Sequence, residues 1–187
     1  ARGLPTYAVV GLPDTGIKES KDRVVAAVRN SGFDFPVRKI TVNLAPGEIK
    51  KTGTHFDLPI ALGILAATGK VKKEAADRLE TAVFLGELAL GGALRPVVGV
   101  LPMLLSLKKS GLRGAVIVPA GNSAEAALSG LECLAARSLK ETLDWVNGSA
   151  GLPACRPAAR ETRSAVLGDF AEVKSQAFAK RALEIAA

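Results

Sequence analysis

The feature that most constrains the fold is an abrupt change from polar to apolar residues in KKTGTHFDLPIALGILAATG, residues 50–69. Asp57 is placed to cap a helix there, because a short carboxylate can accept hydrogen bonds from the first free backbone amides. Pro59 would then lie in the first turn, where its missing amide has no helical partner. The residues from Leu58 to Ala67 leave hardly any polar face. The pattern therefore predicts a central helix that is buried on most sides.

Composition narrows the class of protein further. The chain has 187 residues, 48% of them hydrophobic, which is enough for one domain of ordinary size and an appendage. Its longest apolar runs are about half the ~20 residues that cross a bilayer, so no membrane partner is expected. One histidine and two cysteines cannot supply a tetrahedral zinc site and offer no disulfide framework, which fits a reducing cytoplasm. A net charge of +7 favours an anionic partner.

Periodicity and turn residues predict an alternation of strands and helices without a clean repeat. This order predicts an α+β fold, with a mixed sheet and helices packed mainly on one face. The predicted strands are 6–10, 37–44, 82–88, 93–97, 115–118 and 132–135, and the predicted helices are 17–30, 58–67, 72–80, 99–110, 123–128 and 139–146.

The composition changes after Gly148. The stretch from Gly148 to Val166 is rich in Gly, Pro, Ala and Arg and lacks apolar periodicity, which predicts a mobile linker. The following residues predict a helix capped by Asp169. We therefore predict a domain at 1–148, a linker at 149–168 and a separate helical segment at 169–187. The chain begins without Met, and we expect it to be a piece of a longer protein.

Two long segments carry a family resemblance. VVGLPDTGIKESKDRVVAAVRNSGFDFPVRKITVNLAPGEIKKTGTHFDLPIALGILAATG and FLGELALGGALRPVVGVLPMLLSLKKSGLRGAVIVPAGN resemble the N-terminal domain of the magnesium-chelatase-like AAA+ ATPases, the YifB and ComM group. More distantly they resemble the proteolytic domain of Lon. The resemblance implies the fold shared by that domain and the second domain of the fifth small-subunit ribosomal protein, with further strands before residue 1.

The resemblance also bears on cofactors. Residues 169–187 resemble the lead-in that this family places before its ATP-binding P-loop, so ATP and Mg²⁺ are expected for the full-length protein and no cofactor for this piece. Gly11 to Ser20 comes close to a P-loop pattern, but Ile17 occupies the lysine position. A turn that caps a helix is the favoured interpretation. Nothing in these residues forms a tetrapyrrole or metal site.

Peptidase activity is not expected. The resemblance to Lon places Ile60 at the position of the catalytic serine and Leu101 at that of the catalytic lysine. Neither side chain can attack a carbonyl or accept a proton. Thr54 and His55 are a weak substitute pair, because neighbours in a loop usually point apart and no acidic residue is assigned to orient the histidine.

DNA is the anionic partner that the resemblance favours, since ComM-like proteins are implicated in branch migration. An ATP-driven, ring-forming DNA helicase is therefore the expected whole protein. The alternatives are a solvated basic surface, a protein-interaction or ring-assembly module without DNA contact, and a residual hydrolase. The candidate DNA-binding residues are Lys18, Lys21, Arg23, Arg38, Lys39, Lys50 and Lys51. Arg29 adds to this basic set from the predicted helix 17–30 that also carries Lys18, Lys21 and Arg23.

Overall fold

A computed structural model describes residues 7–158 and 174–186 of the chain. Short 3-10 turns at Thr54–Phe56, Lys73–Ala75, Ala120–Asn122 and Ala127–Ser129 adjoin the helices. The helices are α1 (Thr15–Asn30), α2 (Asp57–Ala67), α3 (Ala76–Thr81), α4 (Val100–Lys109), α5 (Ser123–Ala126), α6 (Leu139–Val146) and α7 (Ala177–Ala186). The strands are β1 (Tyr7–Val10), β2 (Ile40–Asn43), β3 (Val83–Phe84), β4 (Glu87–Leu88), β5 (Leu94–Arg95), β6 (Val116–Pro119) and β7 (Cys133–Ala136).

The fold has the predicted α+β class, but its strands form three small sheets instead of the single mixed sheet that was predicted. β1 and β2 pair in parallel from Tyr7 opposite Ile40. β3, β6 and β7 form a parallel sheet with β6 in the middle, while β4 and β5 form an antiparallel pair. The predicted strand at 82–88 is divided because Gly86 donates its amide to His55 and accepts from the amide of Leu58. Those two bonds direct its backbone towards α2.

The residues of the P-loop-like pattern form a turn that caps α1, as predicted. One oxygen of Asp14 accepts from the amide of Ile17 at 2.8 Å, and the other accepts from the amide of Gly53 at 2.9 Å. These backbone bonds lower the pKa of the Asp14 carboxyl. The helix N-terminus is thus already occupied by a carboxylate of the chain itself.

The central helix α2 is buried as predicted, but the predicted role of Asp57 as its cap is wrong. Asp57 is the first residue of α2, because the preceding 3-10 turn runs directly into the helix. The amide of Asp57 donates to the carbonyl of Thr54. The amide of Leu58 donates to Gly86. With these amides paired, the Asp57 carboxylate points towards α1 and binds Arg23 and the amide of Leu88.

Two hydrophobic clusters form the core, and β6 contributes to both. The larger cluster packs α2 against α1 and α6, and includes Ile117. The smaller cluster packs α4 against the sheet, and includes Val116 and Val118. Because successive side chains of a strand point to opposite faces, β6 is buried on both sides.

The first part of the predicted linker pairs with β7. An antiparallel bridge joins Leu134 to Ala154, and the amide of Ala135 donates to Pro153 at 2.9 Å. In the predicted tail, α7 has no buried residue, whereas Asp169 lies outside the described residues. The proposed domain limits stay a prediction. Among the described helices, none combines the length and the apolar character needed to cross a membrane.

Candidate nucleic-acid interface

The exposed side of α1 carries a row of basic residues. Lys18, Lys21 and Arg29 recur at spacings of three or eight residues, which places them on one side of a helix with 3.6 residues per turn. All three are exposed, while Val24 and Val28 on the other side are buried. The amphipathic pattern that packs α1 onto the core therefore also directs these charges to the solvent.

A cavity of about 260 Å³ lies between α1 and the segment that leads into β2. Lys21 and Arg29 line it from α1, and Arg38 lines it from the opposite side. Tyr7 and Phe35 complete its wall, with their rings edge to face and their centroids 6.2 Å apart. The fold thus brings three cations and two aromatic rings around one concave site.

The site is electrostatically positive. Within residues 7–158 and 174–186, no carboxylate lies within ion-pair distance of Lys21, Arg29 or Arg38. Burial, assisted by the charge of Asp57, raises the pKa of Tyr7 to about 12, so its phenol stays neutral. Phosphate oxygens are suited to such a site, because Lys and Arg supply only donors and positive charge.

A second cavity, of about 440 Å³, adjoins the first. It shares Pro36, Arg38 and Ile40 with the first cavity and adds Lys39 on its wall. Its opposite wall is α2, including Ile60 and Ile64, which are almost fully buried. The basic surface therefore continues from α1 across Arg38 to Lys39. We call Lys18, Lys21, Arg29, Arg38 and Lys39 together the basic surface.

Arg23 and Lys51 have internal partners. Arg23 donates through Nε to Oδ2 of Asp57 at 2.7 Å and through its terminal nitrogen to Oδ1 at 3.1 Å. Its terminal nitrogen also donates to the carbonyl of Gly16. Lys51 is 8% exposed, and its ammonium donates to the carbonyl of Pro46. Lys50 is exposed but lies in the loop before α2, outside both cavities.

The ion pair of Arg23 and Asp57 is buried. The Asp57 side chain is 1% exposed and that of Arg23 is 20% exposed. Burial raises the pKa of the Asp57 carboxyl, although the bonds from Arg23 and Leu88 act in the opposite direction. The pKa of Arg23 is raised by its bond to Asp57. This pair joins α1 to α2 and so supports the helix that carries the basic surface.

Ile60 and Leu101, which the resemblance to Lon is expected to align with the catalytic serine and lysine, are both aliphatic. Ile60 is 5% exposed within the larger cluster. Leu101 is half-buried in the first turn of α4, where its amide donates to Glu125 at 3.4 Å. The absence of catalytic residues stays a prediction, but neither side chain can perform acid–base or nucleophilic chemistry.

A mostly apolar cavity of about 710 Å³ lies between α2 and α4. His55 and Ser106 are among its lining residues. The His55 ring packs against Phe56, with the centroids 4.2 Å apart, and burial lowers its pKa. The described residues also contain no group of three or more His, Cys, Asp or Glu side chains placed to hold a metal ion.

Sequence reasoning missed the aromatic part of the site. Tyr7 was assigned only to a short strand, and Phe35 lies in a loop between Asp34 and Pro36. The aromatic edge-to-face pair arises because β1 and β2 are parallel neighbours. The sequence signal that could have suggested it is an aromatic residue at the start of the first strand, Tyr7, and another, Phe35, in the segment that leads into the second strand. That signal is weak without the pairing.

The architecture defines a class first: an α+β domain in which helices pack against small, mainly parallel sheets. The family follows from comparison, since residues 1–122 match the family described as subunit ChlI of Mg-chelatase. The chain belongs to that family.

Its relatives are known as longer proteins. The chain is 40% identical to the uncharacterized protein YifB of Escherichia coli and to the competence protein ComM of Haemophilus influenzae, in each case over 100% of the chain. It spans 36% of YifB and 37% of ComM, little more than a third of either. It is 30% identical to Lon protease 2 of Bacillus subtilis over 69% of the chain and 22% of that protease.

Proposed function

We propose that this domain binds the phosphate backbone of DNA through the basic surface. The observation that carries the proposal is the convergence of Lys21, Arg29 and Arg38 around one cavity without a carboxylate partner among the described residues. Nucleic-acid binding of this kind depends mainly on neutralising phosphates with Lys and Arg. Phe35, which is half-buried on the cavity wall, offers a ring that a neighbouring base could contact.

The proposal extends to the full-length protein that would contain this domain. The family contains AAA+ proteins related to magnesium chelatase, and ComM is named a competence protein. We therefore propose that the whole protein is an ATPase that requires Mg²⁺, assembles as a ring and moves along DNA in the cytoplasm. In that protein the domain would contribute a DNA-facing surface without itself binding ATP.

Fluorescence anisotropy with single-stranded, duplex and branched DNA tests the proposal. If the domain contacts three phosphates of duplex DNA, the logarithm of the association constant should fall with the logarithm of the salt concentration at a slope of about −2.7. The affinity would then fall about 40-fold between about 50 and 200 mM salt. Arg38→Glu should weaken binding at every salt concentration and make that slope shallower by about one.

Arg113→Glu is the matched control, since Arg113 is exposed and lies outside both cavities of the basic surface. It makes the same change in net charge and should weaken binding much less. Equal losses in the two variants would mean that only net charge attracts DNA. No binding to any of the three DNAs at low salt would instead favour the ring-assembly or protein-interaction alternative, for which the 94% exposed Val98 offers a contact point.

A further inference from the structure

The two cysteines of the chain lie directly opposite each other on paired segments. Leu134 of β7 bridges Ala154 in antiparallel register. One residue before Leu134 is Cys133, and one residue after Ala154 is Cys155, so the register brings these two face to face. The amide of Cys155 donates to the carbonyl of Cys133 at 2.8 Å, which confirms that alignment.

This placement gives the two cysteines a main-chain spacing that a disulfide can span. Facing residues of an antiparallel pair have Cα atoms about 4.5–5.5 Å apart, within the range of about 4.4–6.8 Å that a disulfide spans. Both side chains also pack on the same cluster, the smaller one, and therefore point to the same side of the pair. Both cysteines are free thiols in the structure.

The surroundings favour a reduced resting state that an oxidant can change. Burial raises the pKa of both thiols, so they are protonated at neutral pH and react slowly. Cys155 is half-buried, whereas Cys133 is 5% exposed. The Ser129 hydroxyl donates its proton to the carbonyl of Ala126 at 2.7 Å and lies 3.6 Å from the Cys133 sulfur, so the Cys133 thiol is the donor in that contact and keeps its proton.

We propose that Cys133 and Cys155 form an intramolecular disulfide when the protein meets a peroxide. The more accessible Cys155 thiolate attacks one peroxide oxygen, breaks the O–O bond and becomes a sulfenic acid, and one water is released. The Cys133 sulfur then attacks the Cys155 sulfur and displaces its hydroxyl as a second water. Two thiols are oxidised to one disulfide, and hydrogen peroxide is reduced to two waters.

The disulfide would fasten the chain after α6 to the sheet. Residues 153–155 are held to β7 by backbone hydrogen bonds, and the amide of Arg156 donates to the hydroxyl of Ser123 at 3.1 Å. Oxidation adds a covalent link at this edge and closes a ring of chain that contains α6. Oxidation would therefore attach residues 153–156 more firmly to β7.

Tryptic mapping of the peroxide-treated chain tests the proposal. Arg137 and Lys140 lie between the cysteines, so trypsin separates them into two peptides. We expect one linked species that dithiothreitol splits, with no disulfide between two copies of the chain and with the intact mass of each chain lower by two hydrogen atoms. The melting temperature should be higher in the oxidised protein and return to the starting value after reduction.

Cys155→Ser is the control that keeps the core intact, since Cys155 is only half-buried. It should yield no linked peptide and no reversible change in melting temperature, and Cys133→Ala should behave in the same way if it folds. Peroxide treatment of the unsubstituted chain that gives only sulfinic acid, or only disulfide-linked dimers, would overturn the proposal.

Discussion

The buried pair of Arg23 and Asp57 supplies a quantitative test of how α1 is attached to α2. Arg23→Met keeps much of the side-chain volume but removes both hydrogen bonds to the carboxylate, at 2.7 and 3.1 Å. Asp57 would keep only the bond from the Leu88 amide, at 3.2 Å, in a site where its side chain is 1% exposed. Removing one partner of a buried pair costs about 3–5 kcal/mol.

Protonation limits this cost. A carboxyl with an unfolded pKa of about 3.9 can be neutralised at pH 7 for about 4 kcal/mol, at 1.36 kcal/mol per pH unit, but at pH 5 for only about 1.5 kcal/mol. We therefore expect Arg23→Met to lower the free energy of unfolding by about 3–4 kcal/mol at pH 7 and by clearly less at pH 5. The sign follows from linkage: a raised folded pKa of Asp57 favours folding at low pH, and that stability is lost as pH rises through the folded pKa.

Urea unfolding at pH 7 and pH 5 measures both quantities. Arg29→Met is the matched control, because Arg29 lies on the same helix but is exposed, and its replacement should change the free energy of unfolding by no more than about 0.5 kcal/mol. A loss for Arg23→Met that is the same at both pH values, or no larger than that of the control, would refute the reasoning. It would mean that Asp57 reaches water or another donor when Arg23 is absent.

Gly114→Ala should unfold at a lower urea concentration, because its Cβ would overlap the backbone carbonyl of Thr81. A Cβ at Gly63 on α2 meets nothing within 4 Å, so Gly63→Ala should raise the free energy of unfolding by up to about 1 kcal/mol. A destabilised Gly63→Ala would contradict this contrast. Asn122→Ala should cost about 2–4 kcal/mol in the same assay, since it leaves the amide and carbonyl of Val97 unpaired, and a loss below about 1 kcal/mol would contradict that. Tyr7 is the sole tyrosine, so its ionisation can be followed by ultraviolet absorbance. The titration midpoint should be about 12 in the folded protein and about 10 in the urea-unfolded protein. Because the folded pKa is the higher one, the free energy of unfolding should fall as the pH rises above about 10. A native midpoint near 10 would show a solvated phenol.

The parts of the fold that sequence predicted are those with local signals. The predicted α6 matches the observed Leu139–Val146, because Ser138 caps it and its apolar residues recur at helical spacing. The burial of α2 followed from its composition alone. Strands were less well placed: the predicted 37–44 is reduced to Ile40–Asn43.

The candidate site could be predicted only in part, because it depends on distant pairings. The charges of Lys21 and Arg38 were recognised, but not that they line one cavity. Arg23 resembled its basic neighbours on α1, and nothing local indicates a partner 34 residues away. Lys51 belonged to a polar loop, but its backbone bonds to Leu12 and Asp14 draw it into the protein. Side-chain partners of this kind are decided by tertiary contacts that periodicity does not contain.

The position of β6 has a consequence for cooperativity. Ile117 faces the larger cluster, and Val116 and Val118 face the smaller one, so losing either cluster leaves one side of the same strand against water. Neither half of the core can melt alone without that penalty. The domain should therefore unfold in a single transition, and the amide protons of β6 should exchange with solvent only when the whole domain opens.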